Sequence, residues 1–210
     1  MWSRDSNQKD DYGSKGMKRA VIFFILAVSL LLSMQSNACV GRVLNIGITN
    51  SVNENLLAEM VSMLINERTG TTVNIKVFDN TLDMYESVRK GELGIVIDNT
   101  DHAMNMLSIS SSNEREKDYD LLKKELRERM NLIWLKPFGL LREENGNGKY
   151  LYAAVITESV LTNFPALPRV INKLGGISDD RDFNKMVKAV KSEGKVKRAV
   201  RDLLKKKKLI

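Results

Sequence analysis

Asp98, Asp101 and His102 fall within five positions, directly after the apolar run LGIVI at 93–97. Carboxylates beside an imidazole can line a polar ligand pocket. The plainer reading is that Asp98 or Asn99 caps a helix and that His102, the only histidine, sits on the surface; for His102 this reading is preferred. One histidine allows no multi-histidine metal centre, and the single cysteine, Cys39, allows neither an internal disulfide nor a multi-cysteine zinc site. No Gly-x-Ser-x-Gly elbow is present. Asn145-Gly146-Asn147-Gly148-Lys149 looks like the end of a phosphate loop, but no Ser or Thr follows the lysine and a strand-like run, YLYAAVI, comes next. A phosphate loop needs a helix N-terminus there, whereas Asn-Gly repeats between strand-like runs signal a hairpin. The expectation is no catalytic residue, no metal and no cofactor.

The elements around these residues read as follows. RVLNIGI (42–48) is a buried strand ending in polar Thr49-Asn50-Ser51. Asn53 is placed to cap a helix whose Leu56, Leu57, Met60, Val61, Leu64 and Ile65 recur at helical spacing and which Gly70 stops. TVNIKVF (72–78) alternates as a strand, and Asp79-Asn80-Thr81 caps a second helix that ends at Gly91. LGIVI is the third strand. Strand–helix–strand–helix–strand with short links predicts a parallel sheet with crossover helices, in the order two-one-three. Ligand-facing loops then lie at the strand C-termini, which nominates Thr49, Asn50, Asn80, Thr81, Asp98 and Asn99. Further along, YDLLKKELRERMN is a helix, Asn131–Phe138 and Tyr150–Ile156 are strands bridged by a turn at Glu144–Lys149, and a helical stretch is interrupted at Pro165 and Pro168. Ser178 is placed to cap a helix running to about Lys191, and a basic helix follows.

Residues 1–38 stand apart from the fold. Lys18-Arg19 precedes the apolar run 20–34, and Ser36-Asn37-Ala38 follows, the layout of a secretory signal cut after Ala38. Met17 is the expected start and 39–210 the folded domain. Cys39 would be the first mature residue, so a soluble exported protein and a lipoprotein acylated at Cys39 both remain open, beside an uncleaved anchor; in the cleaved forms such a lipid is the only expected membrane association. The net charge of +7 is concentrated in the last third, in KVKRAVRDLLKKKKLI. In an exported protein this reads as a solvated helix face, and no nucleic-acid partner is expected.

LNIGITNSVNENLLAEMVSMLINERTGTTVNIKVFDNTLDMYESVRKGELGIVIDNTDHAM, WLKPFG at 134–139 and the ending FPALPRVINKLGGISDDRDFNKMVKAVKSEGKVKRAVRDLLKKKKLI together resemble the periplasmic substrate-binding proteins of glycine betaine, choline and other osmoprotectant ABC transporters. The resemblance spans most of 42–210. It implies an α/β fold, a lobe of a type II periplasmic binding protein with a parallel sheet, crossover helices and an added hairpin. In that family WLKPLG leads out of the first lobe and a second lobe follows; here ENGNGK joins two strands directly, so the chain is expected to be a single-lobe form. Relatives hold quaternary ammonium groups between aromatic rings, whereas the third loop here is VIDNTDH, with Val96 and Asn99 at the aromatic places.

Two functions follow from the resemblance. One is an exported binding lobe of an osmoprotectant-type ABC system, weak toward a small polar or quaternary-ammonium ligand, with a permease as partner. The other is a structural or interaction module that reuses the old cleft surface to bind another envelope protein.

Overall fold

The computed structural model describes residues 43–112, 114–142, 148–193 and 196–210, all within Cys39–Ile210, one of the two units into which the chain divides. The export signal, the start at Met17 and the cut before Cys39 lie outside the described residues, as do 144–147 of the expected turn. Among the described residues, no helix is long and apolar enough to cross a membrane.

The expected opening is present. Strand β1 (Val43–Thr49) is followed by α1 (Val52–Thr69), β2 (Thr72–Phe78), α2 (Thr81–Arg89) and β3 (Ile95–Asn99). β1 pairs in parallel with β2 on one side and β3 on the other, so the order is two-one-three as read from the sequence. Gly70 ends α1 in the left-handed conformation at φ 69°, which a residue without Cβ adopts at little cost. Ser51, not Asn53, occupies the N-cap of α1; Asn53 is inside the helix, where its amide donates 2.9 Å to the Arg142 carbonyl.

A short helix α3 (Thr100–Leu107) and the long α4 (Arg115–Met130) lead to β4 (Leu132–Trp134) and β5 (Gly139–Arg142), both antiparallel to β6 (Lys149–Thr157). β6 itself pairs antiparallel with β3, completing a mixed six-stranded sheet. The single strand expected over Asn131–Phe138 is thus a broken one. Trp134 faces Val155 and Gly139 faces Tyr152, so Leu135–Phe138 spans a stretch where β6 needs only Ala153 and Ala154. Two surplus residues make a bulge, and Pro137, which has no N–H for the ladder, sits inside it. The hairpin is formed by β5 and β6, with Arg142 opposite Lys149.

The bulge docks the C-terminal segment. After α5 (Glu158–Asn163) and α6 (Leu167–Ile171), the turns Asn172–Leu174 and Ile177–Asp179 lie along it. Lys136 N–H donates 2.9 Å to Asn172 Oδ1, Gly176 N–H donates 3.0 Å to the Pro137 carbonyl, and Ser178 N–H donates 2.9 Å to the Phe138 carbonyl. Gly139, at φ 123°, is pressed so close that an added Cβ would lie 1.8 Å from Ser178 Oγ. Ser178 is therefore a seam residue and not the expected helix cap; Asp180 Oδ1 accepts from Asp182 N–H and Phe183 N–H at the start of α7 (Arg181–Glu193).

Side-chain alternation along the strands builds two apolar layers. Leu44, Ile46, Ile48, Ile95, Ile97, Tyr152, Ala154 and Ile156 pack against α1, α6 and the last helix α8 (Val196–Lys206). Val96, Ala153 and Val155 face the other way, onto Met84, Tyr85 and Val88 of α2 and Leu122 and Leu126 of α4. Met60 and Met104 are buried. Gly47 opens the second layer: a Cβ there would come within 2.5 Å of Leu93 Cδ1 and 3.0 Å of Met84 Cγ, so the missing side chain lets α2 close on the sheet. α8 lays Val200, Leu203 and Leu204 on the core, while Lys197, Arg201 and Lys206 pair with Glu59, Glu67 and Asp182. Its basic residues are a solvated face with acidic neighbours, as expected.

Candidate functional site

The N-termini of α1, α2 and α3 converge at the C-terminal ends of β1–β3, and three ionisable side chains meet there: Glu54, Asp98 and His102. Each arrives for a local reason. Ser51-Val52-Asn53-Glu54 has the Ser-x-x-Glu spacing in which an acidic side chain in the first turn reaches back to a free backbone N–H. Here Glu54 overshoots the cap and takes Thr49: Oε2 accepts the Thr49 N–H at 2.6 Å and the Thr49 hydroxyl at 2.9 Å. Asp98, next to last in β3, alternates onto the α2 side, where Tyr85 donates its hydroxyl to Oδ2 at 3.0 Å and the Asn99 N–H reaches Oδ1 at 2.8 Å. Asn99 caps α3 through Oδ1, which accepts from His102 N–H at 3.0 Å. That cap places His102 one turn beyond Asp98, with Nδ1 at 3.4 Å from both Glu54 Oε1 and Asp98 Oδ1.

The carboxylates are fully buried and the His102 side chain is 22% exposed. His102 is therefore not the surface residue its position suggested, and Asp98 is not an exposed rim carboxylate. Helix N-termini favour both anions and oppose the cation. The two carboxylates decide the balance: bonding to Asp98 and then to Glu54 outweighs the cost of burial and pushes the imidazole up to about 11. Burial in turn pushes the Asp98 carboxyl above its ordinary range, and the neighbouring Glu54 adds to this. Tyr85 is driven well above its ordinary range, by burial first and then by Asp98, so it stays a donor.

Of the six nominated residues, Thr49, Asp98 and Asn99 belong to this buried network. Asn80 is exposed and caps α2, accepting from Asp83 N–H at 2.9 Å and donating to its carboxylate at 2.8 Å. Asn50 is exposed and Thr81 half-exposed. Glu54 was missed, although the Ser-x-x-Glu spacing marked it. Beside α3 lies an open depression of about 240 Å³, lined among others by Thr100, Asp101, Arg115, Lys149 and Tyr150. A depression of about 670 Å³ lies at the opposite end of the sheet, beside Arg89, Asn131 and Glu158. Tyr85 and Tyr152 are buried, so their ring faces are unavailable to a cation.

Comparison with known proteins agrees with the motifs. Residues 42–144 match the family described as the substrate binding domain of ABC-type glycine betaine transport system. The fold is similar to a solved glycine betaine/carnitine/choline ABC transporter protein at 11% identity, covering 79% of this chain and 99% of that one with a TM-score of 0.68. It is also similar to apo YehZ from Escherichia coli at 14% identity, covering 81% and 100% with a TM-score of 0.67. A search of curated proteins finds no match to the chain. The family is one of transport binding proteins, not an enzyme class.

Proposed function

We propose that this chain, whose residues 42–144 carry a substrate-binding domain of the glycine betaine transport type, is an exported one-lobed component of such a system that captures ligand weakly. The observation that carries the reading is the β5–β6 hairpin, with Arg142 opposite Lys149. The family match stops at residue 144, inside this connection, while the fold match extends over 79% of the chain. A hairpin that closes where the match breaks off supports a lobe replaced by a turn.

Weak capture follows from two further features. Hinge closure of two lobes encloses a ligand from both sides, and tight sites bury most of the ligand surface; one lobe cannot do so. The anionic group best placed to attract a cation, Asp98, is already paired with the chain's own His102. The imidazole occupies the electrostatic place a quaternary ammonium would take. Any ligand is left with Asn50 and Thr81, groups that water can satisfy, with Asn80, which Asp83 already engages, and with Tyr150 lining the depression. Calorimetry with glycine betaine and choline tests this reading, and N-terminal sequencing of the envelope form tests export, with Cys39 expected as first residue.

A second reading, a protein-interaction module, draws on Val52 and Leu82. They are 39% and 61% exposed in the first turns of α1 and α2, at the same end of the sheet. A co-purifying envelope protein together with silence in the ligand titrations would favour it.

A further inference from the structure

We propose that Glu54, Asp98 and His102 form a site for a divalent cation of the zinc class, with Glu54 Oε1, Asp98 Oδ1 and His102 Nδ1 as ligands and at least one position left for water. This departs from the sequence-based expectation of no metal and stands whether or not the chain serves transport.

The first support is an unmet acceptor. Glu54 Oε1 is fully buried and, apart from the His102 ring 3.4 Å away, meets no hydrogen-bond donor among the described residues, although its twin Oε2 takes two from Thr49. The second is spacing. His102 Nδ1 lies 3.4 Å from each carboxylate oxygen, long for a charge-assisted bond, which runs at about 2.7–2.9 Å. Zinc bonds of about 2.0–2.1 Å make a tetrahedron with edges of about 3.3–3.4 Å, which the two distances from His102 Nδ1 meet; one ligand atom from each of the three residues lies within 4.8 Å of the others.

The outer partners also fit. Each carboxylate has one oxygen tied to the scaffold, Glu54 Oε2 by Thr49 and Asp98 Oδ2 by Tyr85, which is how supporting bonds aim ligating carboxylates. Two carboxylates and an imidazole suit a borderline ion such as zinc, and the partly exposed His102 ring offers an approach from solvent.

The test uses the purified full chain, stripped with chelator and titrated with zinc against a chromophoric competitor, and in parallel with cobalt. Cys39→Ser is included so that the thiol makes no contribution. The expected result is one ion per chain, a visible cobalt spectrum of four-coordinate type, proton release on binding, and affinity reduced roughly 10-fold or more in Glu54→Gln and in His102→Gln. Glu158→Gln, a surface control, should bind as the parent does. Absence of stoichiometric binding would overturn the proposal, and so would binding that survives Glu54→Gln and His102→Gln together. If Glu54→Gln fails to fold, the cobalt spectrum of the parent and its loss in His102→Gln decide alone.

Discussion

Two polar regions hold this sheet together by different means. The seam between Leu135–Gly139 and Asn172–Ser178 is an interlock of neutral backbone groups, with Gly139 at φ 123° pressed against Ser178. The cluster at the strand C-termini is ionic: Glu54, Asp98 and His102 meet where three helices begin. The seam depends on shape and ignores pH; the cluster depends on charge and should respond to protons and cations. The motifs WLKPFG and LGGIS therefore mark architecture, while anything switchable belongs to the cluster.

The largest effect that would sharpen this contrast is at Gly139. Gly139→Val should abolish the soluble folded protein at every pH, because its Cβ would overlap Ser178 and its φ is hostile to a branched residue; circular dichroism and soluble yield report it. Next comes the cluster. Glu54→Ala strips Thr49 of its acceptor and His102 of one carboxylate, and breaking a buried pair costs about 3–5 kcal/mol; the urea midpoint should fall strongly while the fold survives. A folded Gly139→Val, or a Glu54→Ala of parental stability, breaks the comparison.

The pH response is a smaller effect. His102 is raised from its ordinary value to about 11 in the folded protein, so its contribution is fully present below the unfolded value of about 6.5. It is lost progressively as pH climbs from there toward about 11. In chelator, the urea midpoint should fall between pH 7 and 10, and His102→Gln should flatten that slope; an unchanged slope in His102→Gln would place the pH dependence elsewhere. The smallest expected change is Asn172→Ala, which removes one hydrogen bond to Lys136 N–H and should cost about 1 kcal/mol, equally at pH 6 and pH 9.

Periodicity made the first half of the fold legible in the sequence. Apolar spacing and the stops at Gly70 and Gly91 lead directly to the two-one-three order. The break between β4 and β5 was not legible, because Leu135–Phe138 looks as strand-like as its neighbours and only the register against β6 exposes the surplus residues. At the site, strand C-termini pointed to Thr49, Asp98 and Asn99, but not to their burial. Whether an acid at a strand end faces solvent or a neighbouring helix is settled by tertiary packing, here by Tyr85 of α2 closing on Asp98. His102 was read as surface because its partner Glu54 lies 48 residues earlier in the chain, and no local pattern joins them.

We propose that this fold holds no open site for a quaternary ammonium group. Calorimetric titration of the purified protein with glycine betaine and with choline tests it most directly. The account predicts no saturable heat up to millimolar ligand, equivalent to less than about 4 kcal/mol of binding free energy. A dissociation constant in the low micromolar range, about 7–8 kcal/mol, would contradict it and restore ordinary substrate capture.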